Sequence, residues 1–239
     1  MEESLPDFSR LAYLLADTSR AKMLTCLMDR NQLTASELSI LAGISAQSAS
    51  NHLAKLLHFN IVTYEKVGRY RYYRLYNHLI AQAIESMMSA TYIDPTFQRR
   101  RKPEGFKKIC YARTCYDHMA GHVGVTIFDS LIQQQLLIKE NDKLQISDLG
   151  NQWFIKQLDV DCHLISPTRR ALVIPCMDWS EQSYHLSGEL GAILLRCMLT
   201  KRYVIKADEH RTLTLTASGF LFLQNSLGIG GLLDSTPPV

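Results

Sequence analysis

Apolar residues recur at helical spacing in several stretches of the first ninety residues. These stretches are Phe8–Leu15, Ala21–Met28, Ala35–Leu41, Ala46–Leu57 and His78–Met88. Before the last stretch, Ile61–Leu75 is rich in β-branched and aromatic residues around a central Gly68, which is typical of a β-hairpin. The pattern predicts four or five helices with a hairpin before the last one.

One predicted helix has a clear start signal. Thr34 and Glu37 have the spacing of a capping box, in which each side chain bonds the other residue's backbone amide. We expect the helix that follows to bury Leu38, Leu41 and Ala42.

A tight turn then joins this helix to the next. Gly43 is predicted to end the helix in a left-handed conformation, Ile44 to contact the core and Ser45 to cap the following helix. Two short helices joined by a glycine turn have the geometry of a helix-turn-helix.

The second helix of the motif separates apolar from hydrogen-bonding side chains. Ala49, Leu53 and Leu56 form the predicted buried stripe. The opposite face carries Gln47, Ser48, Ser50, Asn51, His52 and Lys55. Gln and Asn side chains can each form a pair of hydrogen bonds with the edge of an adenine, whereas Ser and Lys suit phosphate or guanine. This face is predicted to bind the major groove of DNA, with Thr34 and Ser45 as further contacts at the helix starts.

The hairpin interleaves basic and aromatic residues. Lys66, Arg69 and Arg71 alternate with Tyr70 and Tyr72, which places cations where the wing of a winged helix meets phosphate or the minor groove. The alternative is that the polar helix face and basic hairpin are only a solvated surface. The order of the features favours DNA binding.

Several short motifs together resemble the ArsR (arsenic-repressor) type of winged-helix regulator. They are Asp17–Arg20, Met23–Leu24, Glu37–Leu38, Ser50–Leu53, Lys55–Leu56, Gly68–Arg69, Tyr73 and Leu75. The resemblance covers about residues 7–90. It implies a homodimer, built from the first and last helices of the domain, that binds a palindromic operator in double-stranded DNA and represses until an effector arrives.

The sequence departs from the metal-sensing members of that family. Their cysteine pair at the start of the third helix would fall within Glu37–Leu41, which contains no cysteine, and the last helix offers only His78 and Glu85. We therefore expect neither standard metal site. Cys26 lies among apolar residues and is predicted to pack in the core.

The second part of the chain repeats itself. His118–Gly124 matches His185–Gly191, and each copy follows a Cys-x-Asp triplet, Cys115–Asp117 or Cys176–Asp178. Each is followed by an apolar helix, a polar hairpin and a helix-opening turn. We infer a duplicated helix–hairpin–helix unit, similar to a small winged domain, whose copies pack about an approximate two-fold axis. The small pairs Ala120/Gly121 and Ser187/Gly188 are expected to let the helices approach closely.

Such an interface is where an effector site is expected. If equivalent positions meet, Cys115, His118, Cys176 and His185 converge, a sound ligand set for zinc or another thiophilic metal. The same closeness permits a redox disulfide between Cys115 and Cys176. In the third alternative, the cysteines only pack, while Asp117 and Asp178 cap helices.

Other residues are secondary candidates for sensing. Cys110 and His122 are spare ligands, whereas Cys162, His163 and Cys197 lack repeat partners and are predicted to pack. An organic small-molecule effector held by aromatic and basic side chains is compatible with thiols that only pack. Those side chains are Trp179, Tyr116, Tyr184, Arg113 and Arg170.

The predicted fold class is mainly α with small β-hairpins (α+β). The 239 residues divide into a winged helix-turn-helix domain over 1–94, a basic linker over 95–108 and a sensing domain over 109–239, with repeats at about 109–160 and 170–230. The linker assignment rests on Arg99–Lys102, Lys107 and Lys108 around Pro95 and Pro103.

Composition restricts the class of protein. The net charge of +3 is too small by itself to indicate nucleic-acid binding, so that inference rests on where the basic residues lie in the sequence. The acidic start Met1–Asp7 is unlike a secretion signal, no long apolar run indicates a membrane span, and the six cysteines lack the spacing of a disulfide framework. We expect a cytoplasmic chain with reduced thiols.

Catalysis is not expected. The sequence lacks a glycine-rich phosphate loop, a Gly-x-Ser-x-Gly elbow and a His-Glu-x-x-His helix. The prediction is a DNA-binding transcriptional repressor. The alternatives are an enzyme, or a protein-interaction adaptor, with a winged-helix regulatory domain; binding by an adaptor would not weaken with salt.

Overall fold

The computed structural model describes residues 8–30, 32–92, 106–140, 143–165, 170–207 and 211–230. The chain divides into two compact units, Met1–Ala81 and Gln82–Val239. Most of the predicted linker, including Arg99–Lys102, lies outside the described residues. The predicted domain limits stay predictions.

The first unit contains a three-stranded antiparallel sheet and short helices. In chain order they are α1 (Phe8–Leu15), α2 (Thr18–Asp29), β1 (Leu33–Thr34), α3 (Ala35–Ala42), α4 (Ala46–His58), β2 (Val62–Val67) and β3 (Tyr70–Leu75), followed by α5 (His78–Tyr92), which contains the boundary between the units. The strand order is β1-β3-β2. The predicted helices and hairpin are confirmed.

Local capping places the two helices of the predicted motif. Thr34 Oγ1 accepts a hydrogen bond from Glu37 N, and Glu37 Oε2 accepts one from Thr34 N at 2.7 Å. Gly43 ends α3 in the left-handed region with φ 67°, and Ser45 caps α4 through the amide of Ser48. These predicted start and stop signals are confirmed.

The prediction that Leu41 is buried is wrong. The buried face of α3 consists of Leu38, Ser39 and Ala42, and Leu41 lies beyond its edge with 45% of its surface exposed. The apolar face of α3 is therefore narrower than the sequence pattern indicates.

The second unit begins with the C-terminal part of α5 and continues through two similar halves, residues 106–165 and 170–230. The first half contains α6 (Phe106–Tyr111), β4 (Arg113–Cys115), β5 (His118–Ala120), α7 (Gly121–Gln133), β6 (Leu137–Glu140), β7 (Lys143–Ile146), α8 (Asp148–Leu158) and a 3₁₀ turn (Cys162–Leu164). The second contains β8 (Ile174–Met177), β9 (Tyr184–Ser187), α9 (Gly188–Thr200), β10 (Val204–Lys206), β11 (Leu213–Leu215) and α10 (Ala217–Leu227).

The order hairpin, long helix, hairpin, shorter helix therefore occurs in both halves. One shared core contains Val123 and Ile127 of α7 together with Leu190 and Leu194 of α9. Each half has a hairpin before the predicted helix–hairpin–helix unit. The duplication and its two-fold axis stay predictions.

Glycines at the starts of α7 and α9 lie in crowded surroundings, and two of them face the opposite half. Gly121 and Gly188 have φ of 79° and 83°, and a β-carbon on either would meet a carbonyl oxygen of its own half at 2.6 Å. A β-carbon at Gly191 would instead lie 3.2 Å from His118 Cβ, and one at Gly124 would lie 3.7 Å from His185 Cβ. Gly124 and Gly191 allow the close approach.

Within the described parts of the chain, no helix is long and apolar enough to cross a membrane.

Candidate functional site

Helix α4 has one buried and one exposed face. Ala49, Leu53 and Leu56 are buried as predicted, whereas Gln47, Ser50, Asn51 and Lys55 are exposed. Gln47 Nε2 donates a hydrogen bond to Asn51 Oδ1 at 3.2 Å. The two amides thus form one polar surface a helical turn long.

The other residues of this region that were predicted to contact DNA are less accessible or already form hydrogen bonds. His52 was predicted on the exposed face, but its side chain is only 15% exposed, with Nδ1 3.9 Å from Asp17 Oδ1. Ser48 is half-buried, and the hydroxyl of Thr34 donates to Glu37 at 2.7 Å. Ser45 is exposed, but its hydroxyl accepts the Ser48 amide of the cap. The prediction of an exposed His52 is therefore corrected, because its ring lies near Asp17, which caps the start of α2.

The hairpin β2–β3, called the wing below, presents cations to solvent, among them the three predicted to contact DNA. Lys66, Arg69 and Arg71 are all exposed. The guanidinium carbon of Arg71 lies 4.8 Å from the centre of the Tyr64 ring, and Arg69 donates to the Tyr70 hydroxyl at 2.9 Å. The tyrosines therefore support the arginines without neutralising them.

The register of the wing places like charges side by side. Lys66 is directly opposite Arg71 across the antiparallel pair. Like charges at such positions destabilise a sheet unless an anion lies near them. The wing is therefore suited to a polyanion.

The positions used by metal-sensing relatives have other roles here. Glu85 is buried, and its carboxylate forms an ion pair with Arg211 of the second unit's β10–β11 segment. His78 and Cys26 are half-buried. No metal-binding group that includes Cys26, His78 or Glu85 occurs among the residues that the structure describes.

A buried cysteine–histidine cluster lies between the two halves of the second unit. Cys115 pairs directly with His118 across β4 and β5, and Cys176 pairs with His185 across β8 and β9. Directly opposed residues project to the same face of a hairpin. Each hairpin therefore presents one thiol and one imidazole together.

The four side chains of the cluster converge as the repeat indicated. Their ligand atoms lie within 4.8 Å of one another, and all four residues are buried. His118 Nε2 is 3.1 Å from His185 Nε2, and Cys115 Sγ is 4.0 Å from Cys176 Sγ. Whether the cluster senses metal, senses redox or only packs stays open at this point.

A carboxylate oxygen lies close to the Nδ1 atom of each histidine ring. Asp117 Oδ1 lies 3.2 Å from His118 Nδ1, and Asp178 Oδ2 lies 3.3 Å from His185 Nδ1. Arg170 binds Asp117 with two guanidinium nitrogens. Neither aspartate merely caps the helix of its own copy.

Asp178 also connects the halves. It accepts hydrogen bonds from Arg113 Nη2 at 2.9 Å and from the backbone amide of Gly121, at the start of α7, at 2.6 Å. Burial raises its pKa, but His185 and Arg113 outweigh that effect and hold the pKa well below the ordinary value. The carboxylate is therefore ionised.

The surroundings of the cluster shift the pKa values of Cys115 and His185. The hydrogen bond with Cys176 and the loss of solvent raise the pKa of the Cys115 thiol well above its ordinary value. Burial disfavours a charged His185, but Asp178 and Cys115 outweigh burial and raise its pKa to about 9. Cys115 is therefore a thiol rather than a thiolate in the metal-free cluster.

The other candidates lie outside the cluster. Trp179 is buried, and the guanidinium of Arg113 lies 4.4 Å from the centre of its ring. His122 Nδ1 is 3.1 Å from Glu181 Oε2. The remaining candidates are placed as follows: Cys110, Tyr116 and Cys197 are half-buried, Tyr184 and His163 are exposed and Cys162 is buried. Arg113 and Arg170 each bind a carboxylate, and the set suggested for an organic effector stays a prediction.

A relative of nearly the same length shows which family the chain represents. YdfF of Bacillus subtilis (strain 168), an uncharacterized HTH-type transcriptional regulator, is 36% identical over 226 residues, which span 94% of this chain and 98% of the relative. The chain belongs to the HTH-type transcriptional regulators.

Two further similarities of this HTH-type regulator each cover a smaller part of the chain. The HTH-type transcriptional regulator KmtR of Mycobacterium tuberculosis is 33% identical over 93 residues, 38% of this chain and 71% of that protein. An ArsR-like transcriptional regulator from Rhodococcus sp. RHA1 has a similar structure with 26% identity and a TM-score of 0.29, covering 35% of this chain and 76% of that one. No known family model matches the chain.

The prediction of a DNA-binding, ArsR-type winged helix-turn-helix regulator is confirmed at the level of this family. Both relatives are transcriptional regulators. The individual DNA-binding and effector residues stay predictions.

Sequence reasoning missed the ion pairs that hold the second unit of this regulator together. Arg113–Asp178 joins positions 65 residues apart, and Glu85–Arg211 joins positions 126 residues apart. No local motif marks either pair. The one available signal was the position of Asp178 in a repeated Cys-x-Asp triplet.

Proposed function

We propose that this regulator is a cytoplasmic, homodimeric repressor that binds palindromic operator DNA with α4 and the wing. The second unit is its sensor, and an effector bound there releases the operator. The observation that carries the proposal is the wing's pair of opposed cations, Lys66 and Arg71, in the same unit as the exposed polar face of α4.

Helix α4 has the side chains of a recognition helix. Asn and Gln amides bond the adenine edge in pairs, and a lysine suits guanine or phosphate. Gln47, Asn51 and Lys55 occupy the exposed face of a helix fixed by the Ser45 cap and by its buried stripe. The cations Lys66, Arg69 and Arg71 supply the sequence-independent contacts to phosphate.

Helix α5 supports a dimer. Leu79, Ala83 and Met87 recur every four residues and are exposed, which gives the helix an apolar stripe. A second copy of the chain is the occupant we assign to this stripe, and it would present two recognition helices to a palindrome.

The proposal is tested by titrating reduced, full-length protein against a fluorescent DNA fragment from upstream of its own gene. Binding is measured at two salt concentrations, and again after addition of zinc, a chelator or peroxide. We expect tight binding that weakens steeply with salt, because bound phosphates release counterions. If zinc, the chelator or peroxide changes DNA binding, the result supports the sensor assignment. If none of them changes DNA binding, the result contradicts metal and oxidation as effectors. Absence of binding at low salt, even to random DNA, contradicts the whole proposal.

A further inference from the structure

We propose that Cys115, His118, Cys176 and His185 bind one zinc-type divalent metal ion in a closed, four-coordinate site within the second unit. Two thiolates and two imidazoles are a ligand set that zinc prefers. The site is distinct from any on the winged helix-turn-helix, since all four residues belong to the hairpins β4–β5 and β8–β9.

The separations between ligand atoms fit a tetrahedral ion. With ordinary zinc bond lengths, two sulfur ligands are about 3.8 Å apart and two nitrogen ligands are about 3.3 Å apart. The observed separations are 4.0 Å for the two Sγ atoms and 3.1 Å for the two Nε2 atoms. No pair of ligand atoms exceeds 4.8 Å, so small side-chain rotations complete the geometry.

His118 is held as metal-binding histidines are, by a hydrogen bond with Asp117, and His185 has the Asp178 carboxylate near its Nδ1 atom. An imidazole that ligates a metal usually donates its other N–H to a carboxylate, which fixes the tautomer and the ring. Asp117 and Asp178 stand at Nδ1 of His118 and His185, respectively. If both Nδ1 atoms carry the proton, two Nε2 lone pairs face each other at 3.1 Å. A proton on one Nε2 removes that repulsion in the metal-free cluster, and a cation between the two atoms removes it in the loaded one.

The charges of the site balance when the ion is bound. Metal binding releases to solvent the protons of both thiols and the extra proton of His185, so a divalent ion with two thiolates and two neutral imidazoles carries no net charge. The two carboxylates behind the rings are separately paired, Asp117 with Arg170 and Asp178 with Arg113. A neutral assembly avoids the high free-energy cost of an isolated buried charge.

A metal ion at this position would affect the structure of the second unit. Each hairpin contributes one cysteine and one histidine, so the ion joins the two halves of the second unit. Metal binding to such a site is coupled to folding. We expect loss of the ion to loosen the contact between the halves.

The test is the metal content of full-length, reduced protein produced in medium supplemented with zinc or with cobalt. We expect one ion per chain after dialysis against a mild chelator. The cobalt form should show the visible bands of tetrahedral cobalt and a thiolate charge-transfer band. X-ray absorption should show two sulfur neighbours at about 2.3 Å and two nitrogen neighbours at about 2.0–2.1 Å. These measurements need no DNA, so their outcome is independent of operator binding.

Variants locate the ion. Cys115→Ser and His185→Asn should lose the metal, whereas the matched controls Cys197→Ser and His122→Asn should keep one ion per chain. Asp117→Asn, which keeps all four ligands, should weaken retention about 10–100-fold. If a ligand variant fails to fold, the spectrum of the cobalt-loaded parent chain still decides the proposal.

Three results would overturn the proposal. The first is a parent chain that retains no metal under these conditions. The second is a cobalt spectrum without thiolate bands. The third is a Cys115–Cys176 disulfide in protein purified anaerobically, which would assign the cluster to redox chemistry.

Discussion

The guanidinium of Arg113 and the carboxylate of Asp178 form an ion pair at 2.9 Å, with neither side chain exposed to solvent. Asp178→Asn removes the negative charge and leaves Arg113 buried without its counter-ion. We expect the second unit to lose about 3–5 kcal/mol of unfolding free energy. Urea unfolding followed by circular dichroism measures the loss. The exposed Asp159→Asn is the matched control and should change stability by less than about 0.5 kcal/mol. Equal stability of both variants would contradict the role assigned to the pair.

The close approach of the two halves depends on Gly191. A β-carbon there would lie 2.5 Å from the carbonyl oxygen of Leu186 and 3.2 Å from His118 Cβ. Gly191→Ala is therefore expected to destabilise the second unit by about 1–3 kcal/mol through overpacking. Thermal unfolding monitors the effect. At Gly230 no atom lies within 4 Å of the β-carbon position, so Gly230→Ala should be neutral. A neutral Gly191→Ala would argue against tight packing at this point.

Much of the first unit was predictable because its signals are local. The capping residues Thr34 and Ser45 and the turn residue Gly43 act within a few positions along the chain. The exposure of Leu41 and the partial burial of His52 were not predictable, because they depend on which neighbouring helix covers each face.

The cluster in the second unit was predictable only through the internal repeat. The spacing from Cys115 to His118 differs from that between Cys176 and His185, so no single metal motif appears in the sequence. In each hairpin the strand register places the cysteine directly opposite the histidine, so the two pairs have the same arrangement in space. The ion pairs Arg113–Asp178 and Glu85–Arg211 lacked even that signal, since they join distant segments of unlike sequence.

Dimerisation is predicted to depend on the apolar stripe of α5. Leu79 is 58% exposed in the single chain, and Leu79→Glu would place a charge in the proposed interface. We expect the mass in solution, measured by light scattering after size exclusion, to fall from two chains to one. Leu221→Glu, at a leucine that is 53% exposed on α10, is the control and should leave the dimer intact. A parent chain that is monomeric at micromolar concentration would refute the assignment.

The wing is predicted to bind DNA without reading its sequence. Arg69→Ala should weaken binding to operator and random DNA alike and lower the slope of log affinity against log salt by about 1. Lys201→Ala, an exposed cation at the end of α9, should change neither quantity. Parallel titrations at several salt concentrations give the slopes. A loss confined to the operator would mean that Arg69 contacts bases instead.

The most direct test of the central claim is a comparison of Asn51→Ala with the parent chain on operator and random DNA at fixed salt. Loss of one base contact should weaken operator binding by about 1–3 kcal/mol, which is roughly 5- to 150-fold, and leave random DNA unaffected. Asn225→Ala, at an exposed asparagine of α10, controls for the substitution itself. If Asn51→Ala binds the operator as tightly as the parent and the control do, α4 is not the recognition helix.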